Sequence, residues 1–263
     1  MKPEIISRVP QGRARPTPLL FVHGAFVGAW CWDEYFLAYF AERGYAAHAV
    51  SLRGHGGSPG QETLAVTGVD DYVADMLFAA EQFKRPPVLI GHSMGGIVVQ
   101  RGLKRSNAPA AVLMASVPPQ GLMGSAFLLA AQNPQLFREI NLIQHARPRH
   151  ATPEGMRKAL FSETMAEDEV LKHCMRMQPE SQRALFDLSW PQYFWIGDTR
   201  NEPVLVLGAG NDAFFPPFMT EATARLHGTE AVIFSGMAHA MMLEPAWRSV
   251  ADRIALWLGG QGL

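Results

Sequence analysis

Cysteine is scarce in this sequence, which limits how the protein can be stabilised and what it can bind. Only Cys31 and Cys174 occur among 263 residues, and neither belongs to a C-x-x-C pair or another metal-binding spacing. We therefore expect no metal held by cysteine, and two free thiols rather than a disulfide. With 48% hydrophobic residues, the chain can bury a core large enough to fold without either.

A surplus of charge of one sign is also missing. The 23 basic and 24 acidic side chains leave a formal net charge of −1, which gives no electrostatic reason to expect nucleic acid or an anionic membrane as a partner. No apolar run reaches the roughly 18 residues of a membrane span. The stretch Met1–Arg8 lacks the apolar run of a signal peptide. These absences favour a cytoplasmic protein with no membrane span, and nothing in the sequence indicates its oligomeric state.

Short apolar runs alternate with longer amphipathic stretches through most of the chain. Such runs are typical of strands buried on both faces of a parallel sheet. They are Pro18–Val22, Ala46–Val50, Val88–Ile90, Ala110–Met114, Val204–Leu207 and Ala231–Phe234. Helices are predicted between them, over Asp33–Arg43, Asp70–Phe83, Met94–Arg105, Phe218–Leu226 and Ala246–Leu258. The alternation predicts an α/β fold with about six or more mostly parallel strands, and Glu4–Val9 is a candidate edge strand.

The alternation stops between residues 118 and 202. This stretch contains segments with helical spacing and no convincing strand. The segments are Gly124–Asn133, Pro153–Phe161, Glu167–Met175 and Ser181–Asp187. Because strands resume at Val204 and complete the first pattern, residues 118–202 are predicted to form a helical cap inserted into a core of residues 1–117 and 203–263. A second, independent helical domain is the alternative.

Gly91-His92-Ser93-Met94-Gly95 has the pattern G-x-S-x-G, with an apolar run before it and a helical segment after it. A sharp strand-to-helix turn would hold Ser93 in a strained conformation above the carboxyl edge of the sheet. Glycines at 91 and 95 would let neighbouring backbone approach where a side chain would collide. At the amino end of a helix, the dipole and free N–H groups favour developing negative charge. Ser93 is therefore the predicted covalent nucleophile.

A serine hydroxyl is a weak nucleophile and needs a base beside it. His239 follows the last apolar run, on a loop that should reach the same edge of the sheet as Ser93. Four other histidines lie in polar or helical surroundings and are interpreted as ordinary surface residues. They are His145, His150, His173 and His227.

The base in turn needs a carboxylate that fixes its tautomer and stabilises the imidazolium. Asp212 directly follows the strand predicted at Val204–Leu207 and is the first candidate. Asp187 and Asp198, in or near the cap, are the alternatives. The order serine, aspartate, histidine is typical of this triad on a parallel sheet with helices on both faces.

The loop after the first long strand, His23–Trp32, offers one of the two donors that an oxyanion needs. Gly24 lets the loop bend, and the Ala25 N–H would act with the N–H of Met94, which directly follows the nucleophile. His23 is expected to hydrogen-bond to backbone and hold the loop in place.

Candidate substrate contacts lie beside these groups and in the cap. Phe26, Trp30 and His92 are the candidates near the nucleophile. Phe127 and Met165 are the candidates in the cap, where further apolar side chains could line a pocket for the acyl or alcohol group. These are Leu128, Met175, Met177 and Phe186.

Together these motifs resemble the α/β-hydrolase superfamily over nearly the whole chain. The stretch His23–Trp32 resembles the H-G-x-x-x-G-A-W-x-W stretch of the plant methylesterase and hydroxynitrile lyase branch, and His239–Pro245 is similar to the end of those enzymes. Leu52–Ser58 resembles the D-x-R-G-x-G-x-S turn of bacterial members, among them esterases and lysophospholipases. Because Ser51 stands where that turn usually has aspartate, we expect an altered loop-bracing interaction without loss of activity.

The resemblance implies an α/β-hydrolase fold with a helical cap and a serine esterase that acts on a small-molecule ester without a metal or organic cofactor. A lactonase, a C–C bond hydrolase or a lysophospholipase could use the same triad. A non-catalytic small-molecule receptor and a cofactor-independent oxygenase are alternatives on the same fold.

Two departures from related enzymes narrow the expected reaction. Gly24 replaces the threonine of the hydroxynitrile lyases, and Ala240-Met241-Met242 leaves no lysine directly after His239, so lyase activity is disfavoured. Haloalkane dehalogenases and epoxide hydrolases use an aspartate nucleophile, and Ser93 argues against both.

Overall fold

A twisted sheet forms the centre of the structure, a computed structural model that describes residues 2–146, 152–197 and 202–263. Its strands are β1 (Ile5–Arg8), β2 (Leu19–Val22), β3 (Ala47–Val50), β4 (Val88–His92), β5 (Ala111–Met114), β6 (Val204–Ala209) and β7 (Ala231–Phe234). The strand order is β1-β3-β2-β4-β5-β6-β7, and every neighbouring pair is parallel except the antiparallel edge pair β1–β3. All the predicted apolar runs form strands, so the predicted fold class is confirmed.

Helices cover both faces of this sheet. They are α1 (Trp30–Asp33), α2 (Phe36–Glu42), α3 (Val69–Glu81), α4 (Met94–Gly102), α5 (Leu122–Gln132), α6 (Pro134–Ala146), α7 (Pro153–Leu160), α8 (Glu167–Met175), α9 (Gln182–Ser189), α10 (Tyr193–Ile196), α11 (Pro217–Leu226) and α12 (Trp247–Gly260). The helix predicted over Asp33–Arg43 is in fact the pair α1 and α2. The predicted end of α4 is a 3₁₀ turn, Leu103–Arg105. None of the helices in the described ranges combines the length and hydropathy that crossing a bilayer requires.

Alternate residues of the strands feed two hydrophobic clusters, one on each face of the sheet. In β2, Leu19 and Phe21 belong to the cluster that packs against α2 and α12, while Leu20 and Val22 belong to the cluster beneath α3 and α4. All four side chains are fully buried, and burial of such a side chain contributes about 1.5–3 kcal/mol. A strand that is apolar on both faces is stable only with helices on both sides, which explains the layered fold.

The helices α5 to α10 all lie between β5 and β6 in the chain, and no strand occurs in the described part of this stretch. Two of them, α6 and α10, are absent from the sequence-based expectations. The start of α6 carried a recognisable signal, because Asn133 caps it by accepting a hydrogen bond from the Leu136 N–H (3.0 Å) and Pro134 occupies the first helical position. The division of the chain into core and cap at residues 118 and 202 stays a prediction.

The crossing of α4 over the end of β2 brings backbone against backbone. A Cβ added at Gly95 would overlap the carbonyl oxygens of Val22 and His23, and one added at Gly91 would overlap the backbone of Gly95. Because only hydrogen atoms separate these chains, no larger residue fits at either position without moving the turn between β4 and α4.

We expect Gly95→Ala to lower the free energy of unfolding by about 3 kcal/mol or more, because the new methyl group meets rigid backbone rather than a mobile side chain. Gly124→Ala is the matched control. It lies inside α5 with no atom within 4 Å of the added Cβ, so it should raise the stability by up to about 1 kcal/mol. Urea denaturation of both variants measures the difference, and equal effects would contradict the close-packing argument.

Candidate active site

Ser93 forms the whole connection between β4 and α4, and its backbone is strained. Its φ of 53° and ψ of −116° lie where residues other than glycine are rarely found. Both of its backbone polar groups are hydrogen-bonded. The Ser93 N–H donates to the Met114 carbonyl (3.0 Å), and the Ser93 carbonyl accepts from the N–H groups of Gly96 (3.0 Å) and Val117 (3.1 Å). The surrounding backbone therefore maintains a conformation that would otherwise relax.

The structure brings Ser93, His239 and Asp212 together in one hydrogen-bonded line. His239 Nε2 lies 3.0 Å from Ser93 Oγ, and His239 Nδ1 lies 2.8 Å from Asp212 Oδ2. The other Asp212 oxygen accepts the N–H groups of Phe214 (2.8 Å) and Phe215 (3.0 Å). Because Asp212 accepts at Nδ1, the imidazole carries its proton on that nitrogen, which leaves Nε2 as the acceptor toward Ser93 Oγ.

The alternative carboxylates do not take part in this line within the described residues. Asp187 binds the Arg183 guanidinium (2.8 Å) and the Val69 N–H (3.3 Å), on the side of α9 that faces α3. Asp198 lies outside the described residues, as do His150 and the side chain of His145.

Neutral and aromatic groups surround His239. His92 donates its Nε2–H to the His239 carbonyl (2.8 Å). Burial, with the neighbouring His239, lowers the pKa of His92 well below its ordinary value, so His92 stays uncharged. The rings of Phe214 and Phe215 pack on the His239 imidazole, with centroids at 4.8 and 5.5 Å. The histidine is thus fixed in orientation and shielded from bulk water.

The loop after β2 packs directly against the serine. A Cβ at position 24 would lie 3.1 Å from Ser93 Cβ and 3.0 Å from His92 Nδ1, closer than ordinary van der Waals contact, so a larger residue there would displace these neighbours by a few tenths of an ångström. The next residue is Ala25. Neither its N–H nor that of Met94 has a hydrogen-bond acceptor among the described residues, which leaves both donors available beside Ser93 Oγ.

His23 contacts backbone, as the sequence indicated. Its Nδ1–H donates to the Gly24 carbonyl (2.8 Å), and its Nε2 accepts the Leu52 N–H (3.0 Å). Burial and the nearby His55 lower the pKa of His23 to about 3, which keeps it neutral and suited to this donor–acceptor role.

The turn that carries Ser51 is braced by a carboxylate from elsewhere in the chain. Ser51 Oγ accepts the Ala29 N–H (2.9 Å) and donates to Glu4 Oε2 (2.6 Å), and the same Glu4 oxygen accepts the Gly57 N–H (2.9 Å). The carboxylate at this turn thus comes from Glu4, just ahead of the edge strand β1. The turn is therefore held by Ser51 and Glu4 together, where the related turn usually has an aspartate.

A segment between α8 and α9 is hydrogen-bonded to the loop after β2 at Phe26, whose φ is +67°. The Phe26 carbonyl accepts the Gln178 N–H (2.9 Å), and the Phe26 N–H donates to Glu180 Oε2 (3.3 Å). Glu180 is buried and also binds Tyr72 Oη (2.6 Å) and His55 Nε2 (3.1 Å). Sequence reasoning missed Gln178 and Glu180, because nothing in the local pattern marks a carboxylate whose partners are far away in the chain.

A cavity of about 120 Å³ lies above Ser93 and is mostly apolar. Three of the predicted substrate contacts, Phe26, Trp30 and His92, line it. The predictions for Phe127 and Met165 are corrected: neither lines the cavity. Phe127 is 79% exposed because its face of α5 turns to solvent, and Met165 is buried in the core cluster that also contains Phe161.

His173 is not the surface residue that its helical surroundings suggested. It is 1% exposed, lines the cavity, and stacks between the rings of Trp30 (6.1 Å) and Phe161 (5.9 Å). His227, also interpreted as a surface residue, is buried as well, and burial lowers its pKa to about 4. In both cases the burial arises from packing between segments that are distant in sequence, which helical spacing alone does not reveal.

Cys31 lines the same cavity, and both cysteines are free thiols. Burial raises the pKa of the Cys31 thiol far above its ordinary value, so it stays protonated and is a weak nucleophile. Within the described ranges, no three His, Cys, Asp or Glu side chains are grouped so that they could hold a metal ion.

Comparison with known proteins adds a family match and several structural similarities. The model of the alpha/beta hydrolase family matches residues 19–253. The rice (Oryza sativa subsp. indica) protein named "Probable esterase PIR7A" is 33% identical over 105 residues, which are 38% of this chain and 39% of that protein. The chain therefore aligns with well under half of that relative's length.

Two solved structures illustrate the likeness in three dimensions. A thermophilic esterase from Thermogutta terrifontis has a TM-score of 0.74 and 20% identity, with 98% of this chain and 94% of that chain covered. A bromoperoxidase from Bacillus anthracis has a TM-score of 0.75 and 19% identity, with 97% and 95% covered. At such low identity, the likeness shows a shared fold.

The buried pair of His55 and Glu180 should make stability depend on pH. Burial alone would lower the His55 pKa, but Glu180, with smaller contributions from the Arg53 carbonyl and Asp75, raises that pKa overall. Burial alone would raise the Glu180 pKa, but His55, Tyr72 and the Ser181 N–H together lower it. Because the pKa of His55 is raised in the folded protein, its protonation stabilises the fold fully below about pH 6.5, and this stabilisation is lost as the pH rises through the folded-state pKa of His55. The pKa of Glu180 is lowered, so its contribution is complete above about pH 4.3 and is lost as the pH falls below that value. His55→Gln should therefore cost most, about 3 kcal/mol, near pH 5.5–6, and progressively less toward pH 9.

His48→Gln is the control for this measurement, because burial lowers the pKa of His48. Its protonation favours the unfolded chain, so the stability difference from the wild type should change with pH in the opposite direction. Urea denaturation at pH 5.5, 7 and 8.5 gives both trends. A cost of His55→Gln that is the same at all three values would show that the pair is not ionised in the folded protein.

Proposed function

The chain belongs to the alpha/beta hydrolase family, as its motifs predict, and from its site we infer that it is a serine hydrolase that cleaves uncharged carboxylic esters of small molecules. The observation that carries this proposal is the 3.0 Å contact between Ser93 Oγ and His239 Nε2, with Asp212 at 2.8 Å on the other ring nitrogen. This is the arrangement that turns a weak hydroxyl into a nucleophile.

In the first step, Ser93 Oγ attacks the ester carbonyl carbon while His239 Nε2 takes the hydroxyl proton. Asp212 stabilises the imidazolium that forms. The carbonyl oxygen becomes an oxyanion and accepts hydrogen bonds from the N–H groups of Ala25 and Met94, where the amino end of α4 also favours negative charge. Preorganised donors of this kind contribute about 3–4 kcal/mol each to transition-state stabilisation.

The second half of the reaction uses the same groups. His239 gives its proton to the leaving alcohol as the carbon–oxygen bond breaks, which leaves the acyl group on Ser93. A water molecule then attacks this acyl-enzyme, with His239 again as the base, and release of the acid restores the Ser93 hydroxyl. Every proton and bond in this sequence is accounted for by the three side chains, the two amides and water.

The lining of the cavity supports an uncharged substrate. Among the described residues that line it, there is no Lys, Arg, Asp or Glu side chain. Apolar groups such as Leu160, Phe161 and Leu188 dominate instead. A charged acyl or alcohol group would lose its hydration there without gaining a partner, which is costly. The name of the rice relative, an esterase, also supports an ester over a lactone or a C–C bond as the substrate class.

We expect Ser93→Ala to lower kcat on p-nitrophenyl butyrate by at least about 10⁴-fold, and Asp212→Asn by about 10⁴-fold through the wrong histidine tautomer. Asp187→Asn is the matched control, because Asp187 is the rival carboxylate and lies elsewhere. It should leave kcat within about twofold. The wild type and the three variants are compared by their initial rates on esters and lactones and by fluorophosphonate labelling of Ser93.

Two results would contradict the proposal. Equal activity of wild type and Ser93→Ala would remove Ser93 from the chemistry. A folded wild type that neither labels nor turns over any ester or lactone would favour a small-molecule receptor on this fold.

A further inference from the structure

A second cavity, of about 450 Å³, lies in the helices between β5 and β6, bounded by α5, α6 and α9. Its described walls are largely apolar, with Met123 and Leu129 from α5, Phe137 and Ile140 from α6, and Phe186 from α9. We name this space the cap groove. It is distinct from the cavity above Ser93, and the proposed ester chemistry does not by itself require it.

Three side chains line both spaces. Leu122 at the start of α5, Leu185 in α9, and Phe214 contact the cavity above Ser93 on one side and the cap groove on the other. The ring of Phe214 also packs on His239 at 4.8 Å. The cap groove is therefore separated from the candidate catalytic histidine by these apolar side chains, and such side chains can change rotamer.

The size of the inner cavity limits what it holds alone. Its volume of about 120 Å³ corresponds to about four water molecules, at their liquid volume of about 30 Å³ each. That is enough for an ester group and a short substituent, but not for a long chain. A longer substituent must continue past Leu122, Leu185 and Phe214, and the cap groove is the space that receives it.

The polar groups of the groove are already engaged within the protein. Ser125 Oγ donates to the Leu122 carbonyl (2.9 Å), and Ser189 Oγ donates to the Leu185 carbonyl (2.9 Å). The Asn141 amide donates to the Phe137 carbonyl (2.8 Å). No Lys, Arg, Asp or Glu is among the described residues of its lining. Such a surface offers little to a sugar, a peptide or an ion, and it suits a hydrocarbon.

The outer rim of the groove is apolar as well. Met123 is 57% exposed and Phe186 is 58% exposed, although both line the groove, and Phe186 lies 5.9 Å from the half-exposed ring of Trp190. Exposed apolar groups around an apolar groove are typical of a site for an apolar ligand.

We propose that the cap groove binds the hydrocarbon chain of a long-chain ester whose carbonyl lies at Ser93. Leu122, Leu185 and Phe214 form the passage between the ester site and the chain site. This assignment rests on the proposed function and narrows its substrate class to esters of long-chain acids or long-chain alcohols. Each methylene that the groove buries should raise kcat/KM about fourfold until the groove is filled.

The test compares kcat/KM for a twelve-carbon and a four-carbon chain, in esters that vary the acyl group and in esters that vary the alcohol. In the wild type, the ratio of long to short should exceed about tenfold in one of the two series, which identifies the part of the ester that carries the chain. Ala126→Trp fills the groove and should lower that ratio at least about tenfold. Phe127→Trp, the next residue of α5 but outside the groove, should leave it unchanged.

Met123→Glu is the second variant, because an exposed site tolerates the change even where Ala126→Trp disturbs folding. Its carboxylate on the groove wall should lower the same ratio. The inference is overturned by a wild type that prefers four-carbon chains in both series, or by ratios that neither variant changes.

Binding separates this inference from the proposed function. In Ser93→Ala, titration calorimetry with p-nitrophenyl laurate should detect an interaction with a negative heat-capacity change, and adding Ala126→Trp should weaken it at least about tenfold. If the wild type hydrolyses no ester but this binding is seen, the reaction assignment fails and the groove stands. If short esters are hydrolysed but laurate does not bind, the groove assignment fails and the reaction stands.

Discussion

Close contact between two backbones, the turn after β4 and the end of β2, is the constraint on which the site depends. Gly95 allows this contact, since a Cβ there would overlap the Val22 and His23 carbonyl oxygens. Gly91 allows the turn itself to close, since a Cβ there would overlap the backbone of Gly95. With α4 held there, Ser93 cannot relax from its φ of 53°, and Oγ stays 3.0 Å from His239 Nε2. The strain costs about 1–3 kcal/mol locally, and the buried sheet around the turn supplies the stability that offsets it.

The parts of the molecule that sequence predicts well are those that depend on local spacing. Strands appear as apolar runs, and Ser93, Asp212 and His239 each follow a strand. Because these strands are parallel, their carboxyl ends lie at one edge of the sheet. The helices between β5 and β6 are different. Whether Phe127 or His173 faces inward depends on how helices pack on one another, and their spacing in sequence does not encode that. Phe127 was expected inside and lies 79% exposed, while His173 was expected outside and is 1% exposed.

Carboxylates whose hydrogen-bond partners are distant in sequence are a second feature that local sequence patterns do not reveal. Glu4 accepts a hydrogen bond from Ser51, 47 residues later in the sequence, and Glu180 accepts one from the N–H of Phe26, 154 residues earlier. A buried carboxylate is stable only with several donors or a cation, and Glu180 has His55, Tyr72 and the Ser181 N–H. Such networks become visible only when the fold brings the partners together.

The segments that cover Ser93 are held in two different ways: by buried hydrogen bonds on one side, which we call the fixed side, and by apolar packing on the other. On the fixed side, Phe26 holds a φ of +67° because Gln178 and Glu180 occupy its carbonyl and N–H, so separating this segment from the loop would break buried polar bonds and release the strain. On the other side, the boundary with the cap groove consists of Leu122, Leu185 and Phe214. Rotation of apolar side chains breaks no hydrogen bond, so motion there costs less. We therefore expect a substrate of the proposed reaction to reach Ser93 from the side of α5 and α9, while the loop at Phe26 keeps its contacts with Gln178 and Glu180.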